Sequence, residues 1–287
     1  MHVILGGTGQ VGSATARALL KRSEPVTIVT RDARHGSELE EAGARIAVAD
    51  IRDVSRLREL FRSGKRAFLL NPPASPSGDT DAEERANVAA IMEAVEGSGL
   101  EKVVAASTYG ARPGERCGDL TVLYEFEQRL EAQSIPAAIN RGAYYMSNWV
   151  GMIEAVRDSG KLPSFFPAEM AIPMVAPEDL GEAAARRLLE PASDTDLRYV
   201  EGPEYYTPRD VADAFSEALD MTVEVAVIPR GAWEATFIQL GFSKAAAQSY
   251  ACMTGTVVDG EAEKPDNPER TQTTLRDYVR NIVKTAK

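Results

Sequence analysis

Short apolar runs alternate with amphipathic segments through the first half of the chain. The apolar runs are typical of buried strands, and apolar residues recurring every three or four positions between them predict helices. We predict strands at 2–5, 25–30, 45–49, 66–70, 102–106 and 137–140, and helices at 13–20, 53–62, 81–96 and 123–133. Regular alternation of strands and helices predicts an α/β fold with a doubly wound parallel sheet.

A glycine-rich turn joins the first predicted strand to the first predicted helix. Gly6, Gly9 and Gly12 have the spacing G-x-x-G-x-x-G, whereas the common dinucleotide fingerprint is G-x-G-x-x-G. Gly6 permits a tight turn, Gly9 lets phosphates approach the backbone, and Gly12 lets the helix pack closely. The order of strand, turn and helix predicts a Rossmann-type site for a nucleotide pyrophosphate. We expect the intervening residues Thr8, Gln10 and Val11 to contribute to it.

The pattern loosens after residue 144. We predict helices over 148–159, from Pro177 and from Pro208 (with Thr207 as N-cap), a loop at 162–168 and a late strand at 222–228. We therefore expect a nucleotide-binding Rossmann domain over 1–150 and a smaller substrate lobe over 151–287. Residues of about 170–200 should return to the Rossmann sheet.

Composition excludes several classes of protein. The chain has 287 residues, 44% of them apolar, and a net charge of −11, which disfavours binding to nucleic acid or to an anionic membrane. No apolar run is long enough to span a bilayer, and no signal sequence is evident. We expect Cys117 and Cys252 to remain unpaired in a reducing cytoplasm. The only histidines, His2 and His35, make a Ser-His-Asp triad, a Cys-His pair or a multi-histidine metal site improbable.

The residues after the second strand bear on the choice of nicotinamide cofactor. NAD-binding proteins usually place an acid at the end of this strand, where this chain has Thr30 followed by Arg31. A guanidinium binds a 2′-phosphate through parallel hydrogen bonds, and Arg34 supplies a second charge. We therefore favour NADP(H) over NAD. Both arginines could instead be solvated loop charges, and a small shift of alignment would place Asp32 at the acidic position.

The order of these motifs resembles the NmrA-like family, atypical members of the short-chain dehydrogenase/reductase superfamily that include quinone and triphenylmethane-dye reductases. The resemblance rests on Gly6–Gly12, Thr30–Asp32, Asn71–Pro73, Asn140–Asn148 and Ile172–Leu180. It implies that Asp50 and Ile51 contact the adenine. It implies that Asn71, Pro72 and Pro73 lie under the ribose and nicotinamide. It also implies that Gly142, Ala143 and Tyr144 contact the opposite face of the nicotinamide. Without a ligand, Asp50 could simply cap a helix, and 71–73 could be a rigid loop.

The superfamily's catalytic Tyr-x-x-x-Lys pair is incomplete in this chain. Tyr124 has the right spacing, but Gln128 replaces the lysine, and a neutral amide does not stabilise a tyrosinate. Tyr124, Ser107 and Thr108 are our candidate catalytic residues. An alternative alignment makes Glu127 the family's helix glutamate and leaves Tyr124 without a role. Ser107 and Thr108 could equally form a turn after the fifth strand.

The resemblance and the residues together predict an NADPH-dependent reductase of a small, electrophilic, quinone- or dye-like acceptor. Such acceptors need a close and aligned hydride donor more than a strong acid. A flat acceptor could lie against Tyr145, Asn148, Trp149 and Phe165, with Tyr144 and Phe166 beside them, although lobe packing also explains these aromatic residues. The alternative is a non-catalytic NADP(H)-binding redox sensor, and a sugar-nucleotide epimerase is a weaker third. The acceptor and the oligomeric state are left open.

Overall fold

The computed structural model of the protein describes residues 1–262 and 264–285. Its strands are His2–Ile4 (β1), Val26–Thr30 (β2), Arg45–Val48 (β3), Arg66–Leu69 (β4), Lys102–Thr108 (β5), Ala137–Gly142 (β6), Tyr144–Tyr145 (β7), Lys161–Ser164 (β8), Ile172–Val175 (β9), Leu197–Glu201 (β10), Tyr205–Tyr206 (β11), Glu224–Val227 (β12) and Glu269–Arg270 (β13). Within these residues, eight strands form one parallel sheet in the order β13-β10-β6-β5-β4-β1-β2-β3. The strand order reverses between β1 and β4, which is where this architecture binds ligands.

Helices cover both faces of the sheet and build the rest of the molecule. The α-helices are Gln10–Lys21 (α1), Ser37–Glu41 (α2), Val54–Ser63 (α3), Thr80–Val95 (α4), Asp119–Ala132 (α5), Ile153–Ser159 (α6), Pro177–Leu189 (α7), Pro208–Leu219 (α8), Trp233–Gln239 (α9), Lys244–Val258 (α10) and Leu275–Thr285 (α11). Shorter 3₁₀ turns cover Ala33–Gly36, Met146–Met152 and Arg230–Ala232. Among the helices of the described ranges, none is long and apolar enough to cross a bilayer.

The predicted fold class and most predicted elements are confirmed. Thr207 caps α8 through a reciprocal pair: its hydroxyl accepts from the Asp210 N–H at 3.1 Å, and Asp210 accepts from the Thr207 N–H at 2.8 Å. The predicted loop at 162–168 is wrong at its start, because 161–164 forms β8 and pairs with β12. Helix α10 was not predicted, since its small and polar residues give no apolar stripe.

The return of the chain to the sheet depends on a close helix contact. Helix α7 lies against α1, and a Cβ on Gly181 would stand 2.4 Å from the Ala14 Cβ and 2.7 Å from the Thr15 nitrogen. Glycine at 181 therefore lets the two backbones approach, and β10 then adds to the sheet beside β6. The division into a domain over 1–150 and a lobe over 151–287 stays a prediction.

The two cysteines form a disulfide, contrary to the expectation of unpaired thiols. Cys117 precedes α5 and Cys252 lies in α10, and their sequence separation is 135 residues. Gly118 supports the same contact, because a Cβ there would stand 2.6 Å from the Met253 sulfur. The expectation failed because it used only the neighbours of each cysteine in sequence. A cytoplasmic location, which rested partly on free thiols, stays a prediction.

The disulfide should contribute measurably to stability. We expect Cys252→Ser to lower the free energy of unfolding by about 2–4 kcal/mol, because the crosslink closes a long loop in the unfolded chain. Chemical denaturation with and without dithiothreitol measures the effect. The reductant should destabilise the wild type by the same amount and leave the variant unchanged. Two free thiols in the native, unreduced protein would contradict the crosslink.

Candidate active site

The glycine turn lies at the carboxyl end of β1, in the centre of the sheet. Gly6 has a φ of +61°, a left-handed conformation that favours glycine. A Cβ on Gly12 would stand 2.2 Å from the Gly6 carbonyl oxygen, so any larger residue forces the turn and α1 apart. Gly7 is equally constrained, because its Cβ would stand 2.5 Å from the Ile28 Cβ. The need for glycine at position 7 could not be predicted from the sequence, since packing against β2 leaves no signal in local spacing.

The start of α1 suits an anion. Its N-cap is Gly9, which is exposed and provides no side chain to the first N–H groups of the helix. These groups and the positive end of the helix dipole form the usual cradle for a pyrophosphate. The Thr8 hydroxyl lies 3.4 Å from the Thr30 hydroxyl, which connects the turn to the end of β2. The turn therefore fits the phosphates of a dinucleotide.

The two candidate arginines after β2 differ in their interactions. The Arg34 guanidinium holds both Asp32 oxygens, with Nε 3.0 Å from each, and this ion pair keeps the pKa of the Asp32 carboxyl below its usual range. Arg31 is exposed, and within 1–262 and 264–285 no side chain forms an ion pair or hydrogen bond with its guanidinium. Arg31 is therefore the better available ligand for a 2′-phosphate. Thr30 is buried and directs its hydroxyl to the Asp32 carbonyl oxygen at 3.1 Å.

Two further segments flank the same edge of the sheet. Asp50 is exposed and accepts from the Arg52 N–H at 2.8 Å, whereas Asp53 caps α3 by accepting from the Arg56 N–H at 3.0 Å. The alternative that Asp50 caps this helix is therefore wrong. Asn71 follows β4, and its buried side-chain oxygen has no hydrogen-bond partner among the described residues. An unsatisfied buried acceptor is costly, so this oxygen fits a hydroxyl or amide of a bound cofactor.

The remaining predicted cofactor contacts differ in how far they are exposed. Ile51, Pro72 and Tyr144 are half-buried, Pro73 and Gln10 are exposed, and Val11 and Ala143 are buried. A small cavity between α1, β5, β6 and α7 is lined by Val11, Phe68, Ala106, Ser107, Asn140, Gly142, Tyr145, Leu180 and Ala184. The structure thus brings Val11, at the start of α1, and Tyr145, after β6, to a common cavity. The individual ligand contacts stay predictions.

The candidate catalytic hydroxyls are not equivalent. Ser107 and Thr108 are the last residues of β5 and do not form a turn. The buried Ser107 hydroxyl donates to Glu127, which also accepts from Arg141 through Nε at 2.9 Å and a terminal nitrogen at 2.7 Å. Thr108 is half-buried and donates to the Tyr109 carbonyl oxygen at 3.3 Å. The Ser107 hydroxyl is therefore held by a buried ion pair, and it is poorly placed to donate its proton to a substrate.

Tyr124 has no activating partner among the described residues. It is half-buried on α5, and Gln128 one turn later is exposed and donates to Glu131 at 3.1 Å. Glu127, three residues after Tyr124 on α5, holds Ser107 and Arg141. This arrangement favours the alternative alignment, in which Glu127 is the family's helix glutamate and Tyr124 has no special role.

The residues predicted to contact a flat acceptor differ in burial. Tyr144 packs against Trp149 and Phe166, with ring centroids 5.9 and 5.3 Å away. Trp149 is 2% exposed, and its ring belongs to the lobe core. Asn148 is exposed, while Phe165 stacks on the Phe237 ring at 4.4 Å. Burial raises the pKa of Tyr144 and of Tyr145 to about 12, so both hydroxyls stay protonated at neutral pH.

The sequence match decides the family. The model of the NmrA-like family matches residues 2–263. The chain belongs to the NmrA-like family. The predicted resemblance is confirmed, and so is the Rossmann-type α/β fold that it implied.

Several relatives of this NmrA-like chain are known reductases. An NAD(P)H azoreductase from Xenophilus azovorans is 24% identical over 229 residues, which are 79% of this chain and 77% of that protein. The triphenylmethane reductase of Citrobacter sp. has a TM-score of 0.81 and 19% identity, with 99% of each chain covered. An NADPH-dependent quinone oxidoreductase from Escherichia coli has a TM-score of 0.73 and 18% identity, covering 98% of this chain and 99% of that one. At such identities the two structures establish the shared fold.

Proposed function

We propose that this chain is an NAD(P)H-dependent oxidoreductase that prefers NADPH and reduces a small electrophilic aromatic acceptor such as an azo compound, a quinone or a triphenylmethane dye. The observation that carries the proposal is the glycine turn with an uncapped helix start beside the exposed Arg31, which has no ion-pair partner in the described ranges. The relatives support the class of reaction, since they are named as azo, dye and quinone reductases. The Citrobacter enzyme is also known in complex with NADP(H).

The residues of the site would share the work of binding. The helix start would hold the pyrophosphate, Arg31 the 2′-phosphate, and the unsatisfied Asn71 oxygen a hydroxyl or amide near the nicotinamide. The bound cofactor supplies the hydride. Tyr145, which lines the cavity, and its neighbour Tyr144 are both half-buried and would offer ring surface to a flat acceptor. Because such acceptors are already electrophilic, alignment can replace a tyrosine-lysine pair.

Cofactor binding tests the preference for NADPH. We expect Arg31→Ala to weaken NADPH binding about 10- to 100-fold, because it removes charge-assisted hydrogen bonds worth about 1.5–3 kcal/mol. NADH binding should change less than about 2-fold, since NADH lacks the 2′-phosphate. Isothermal titration of both cofactors measures the difference. Arg34→Ala is the matched control, and its effect should be smaller because Asp32 already holds that guanidinium. Equal losses for NADPH and NADH would rule out Arg31 as the 2′-phosphate ligand.

Turnover separates the reductase from the alternative redox sensor. NADPH oxidation is followed with one azo dye, one quinone and one triphenylmethane dye. Acceptor-dependent oxidation is the expected result. Tight NADPH binding without oxidation by any acceptor would instead support the sensor, which the hydrogen-bonded Ser107 hydroxyl and the glutamine at 128 already favour. Absence of micromolar binding to either NADPH or NADP⁺ would overturn both functions.

A further inference from the structure

The disulfide joins two distant parts of the molecule. Cys117 lies near the end of the loop 109–118, which runs from the carboxyl end of β5 to the start of α5. Cys252 lies in the middle of α10, whose Tyr250 ring packs against the Phe237 ring with centroids 5.7 Å apart. The bond therefore links the sheet to the aromatic cluster around α10. No role in the proposed function has used this link.

The two sulfurs of the bond differ in accessibility. Cys117 is 6% exposed, whereas Cys252 is exposed. The backbone of a residue in the middle of a helix is covered by the helix itself, and a cysteine side chain has only Cβ and Sγ. The exposure of Cys252 therefore places its sulfur at the surface. Thiol–disulfide exchange begins when a thiolate attacks one sulfur, and access decides which sulfur is attacked. An incoming thiolate can reach Cys252.

The buried sulfur is suited to be the leaving group. The Thr256 hydroxyl, one turn after Cys252 on α10, lies 3.8 Å from the Cys117 sulfur. A disulfide sulfur carries no proton, so the hydroxyl is the donor in this contact. When the S–S bond breaks, negative charge develops on the Cys117 sulfur, and the same hydroxyl can stabilise it. A thiolate that is stabilised in this way leaves faster.

Other contacts keep the two cysteines close without the covalent bond. Arg116, next to Cys117, donates to both Asp79 carboxylate oxygens at 2.9 and 2.8 Å. The Ser243 hydroxyl at the start of α10 donates to the Gly78 carbonyl oxygen at 2.6 Å. Both contacts reach the segment between β4 and α4, so the loop 109–118 and the start of α10 stay attached to it. The two thiols of a reduced protein would therefore remain neighbours, and the bond could form again.

We propose that the Cys117–Cys252 bond is a reversible thiol–disulfide exchange site, which a dithiol opens in the folded protein and which releases the second half of α10. One thiolate of the dithiol attacks the Cys252 sulfur, and the electron pair of the S–S bond goes to the Cys117 sulfur. The second thiolate then attacks the dithiol's own sulfur in this mixed disulfide and releases Cys252. The dithiol loses two electrons and becomes a cyclic disulfide, and its two protons end on the two cysteines.

Opening the bond should affect one half of α10 more than the other. The first half keeps its attachment through Ser243. An ion pair between Arg112 and Glu261 also connects the loop 109–118 to the end of α10, but both side chains are largely exposed and such a pair contributes little. Hydrogen exchange of the amides of 253–258 should therefore rise more than about 10-fold on reduction, because local opening becomes easier. Unchanged exchange in this segment would overturn the release of α10.

The main test follows the reduction of the folded wild type by dithiothreitol. Samples are quenched with iodoacetamide at intervals, and mass spectrometry measures the fraction of reduced protein. The rate should change less than about 2-fold in low, non-denaturing urea, because attack on an exposed sulfur needs no prior unfolding. Far-UV circular dichroism should stay constant during the reaction. A rate that rises with urea in parallel with the unfolding equilibrium would show that the bond opens only in the unfolded chain, and would overturn the proposal.

A second measurement identifies the sulfur that is attacked. Glutathione, a monothiol, should form its mixed disulfide with Cys252 of the wild type, and peptide mapping locates it. The variants Cys117→Ser and Cys252→Ser form a matched pair, since each keeps one thiol. The Cys117→Ser variant should react with Ellman's reagent at least about 10-fold faster, because its remaining thiol is exposed. Glutathione on Cys117, or equal rates for the two variants, would contradict attack at Cys252.

None of these measurements uses a cofactor or an acceptor. Failure of the proposed function would therefore leave the exchange site standing, and failure of the exchange site would leave the proposed function untouched.

Discussion

Gly12→Ala should abolish NADPH binding and lower the free energy of unfolding by about 2–4 kcal/mol. Alanine normally stabilises a helix by about 0.5–1 kcal/mol relative to glycine. The destabilisation expected here is therefore opposite to the intrinsic helix preference of the two residues. The reason is the 2.2 Å separation between an added Cβ and the Gly6 carbonyl oxygen. Both atoms are held by backbone, so the turn and the start of α1 must separate. Urea denaturation and NADPH titration measure the two effects.

Gly9→Ala is the matched control for this substitution. Its Cβ would stand 3.3 Å from the Gly6 oxygen, and Gly9 has an ordinary extended backbone with a φ of −84°. The stability should change by less than about 1 kcal/mol, whereas the methyl group would stand where the pyrophosphate approaches. NADPH affinity should therefore fall although the fold is kept. Normal NADPH binding by Gly9→Ala would place the phosphates elsewhere and contradict the cofactor site.

Arg141→Met should lower the free energy of unfolding by about 3–5 kcal/mol, because it leaves the Glu127 carboxylate buried without its cation. Arg141 is 5% exposed and Glu127 is 2% exposed, and two hydrogen bonds of 2.9 and 2.7 Å join them. Arg141 is the last residue but one of β6, so the pair holds the end of the strand from which the chain continues to Tyr144. Thermal and chemical denaturation measure the loss.

The surface supplies a matched comparison for this buried pair. Arg129→Met removes a partly exposed partner of Glu125 on the same helix as Glu127 and should cost less than about 1 kcal/mol. The double variant Arg141→Met with Glu127→Leu should recover most of the loss, since it removes both charges. Equal effects of Arg141→Met and Arg129→Met would show that the Glu127–Arg141 pair is not desolvated in solution.

Local pattern was sufficient for the parallel sheet and for the glycine turn. Strand and helix periods, Gly6, Gly9 and Gly12 act within a few residues of one another, and the structure places them as predicted. Helix α10 escaped prediction because its burial depends on contacts with distant segments, so its sequence carries no amphipathic stripe. The N-cap Thr207 was predictable, because capping involves only the next three residues.

For the candidate site residues too, the sequence predicted the residue types, and the structure showed their interactions. Arg31 was a candidate from sequence alone, whereas the ion pair that occupies Arg34 appears only in three dimensions. Ser107 was a candidate hydroxyl, but its contact with Glu127 spans 20 residues and removes it from the list of free groups. Tyr124 kept the spacing of an activated tyrosine, yet no partner in the described residues activates it.

The sequence by itself determined the fold class, the NmrA-like resemblance and the position of the phosphate turn, because short-range periodicity and glycine spacing specify backbone geometry directly. Only the tertiary structure decided the Cys117–Cys252 crosslink and the buried Glu127–Arg141 pair. Each joins residues that lie 14 to 135 positions apart. Their chemistry depends on burial and on distance, and neither quantity is encoded by the residues adjacent in the chain.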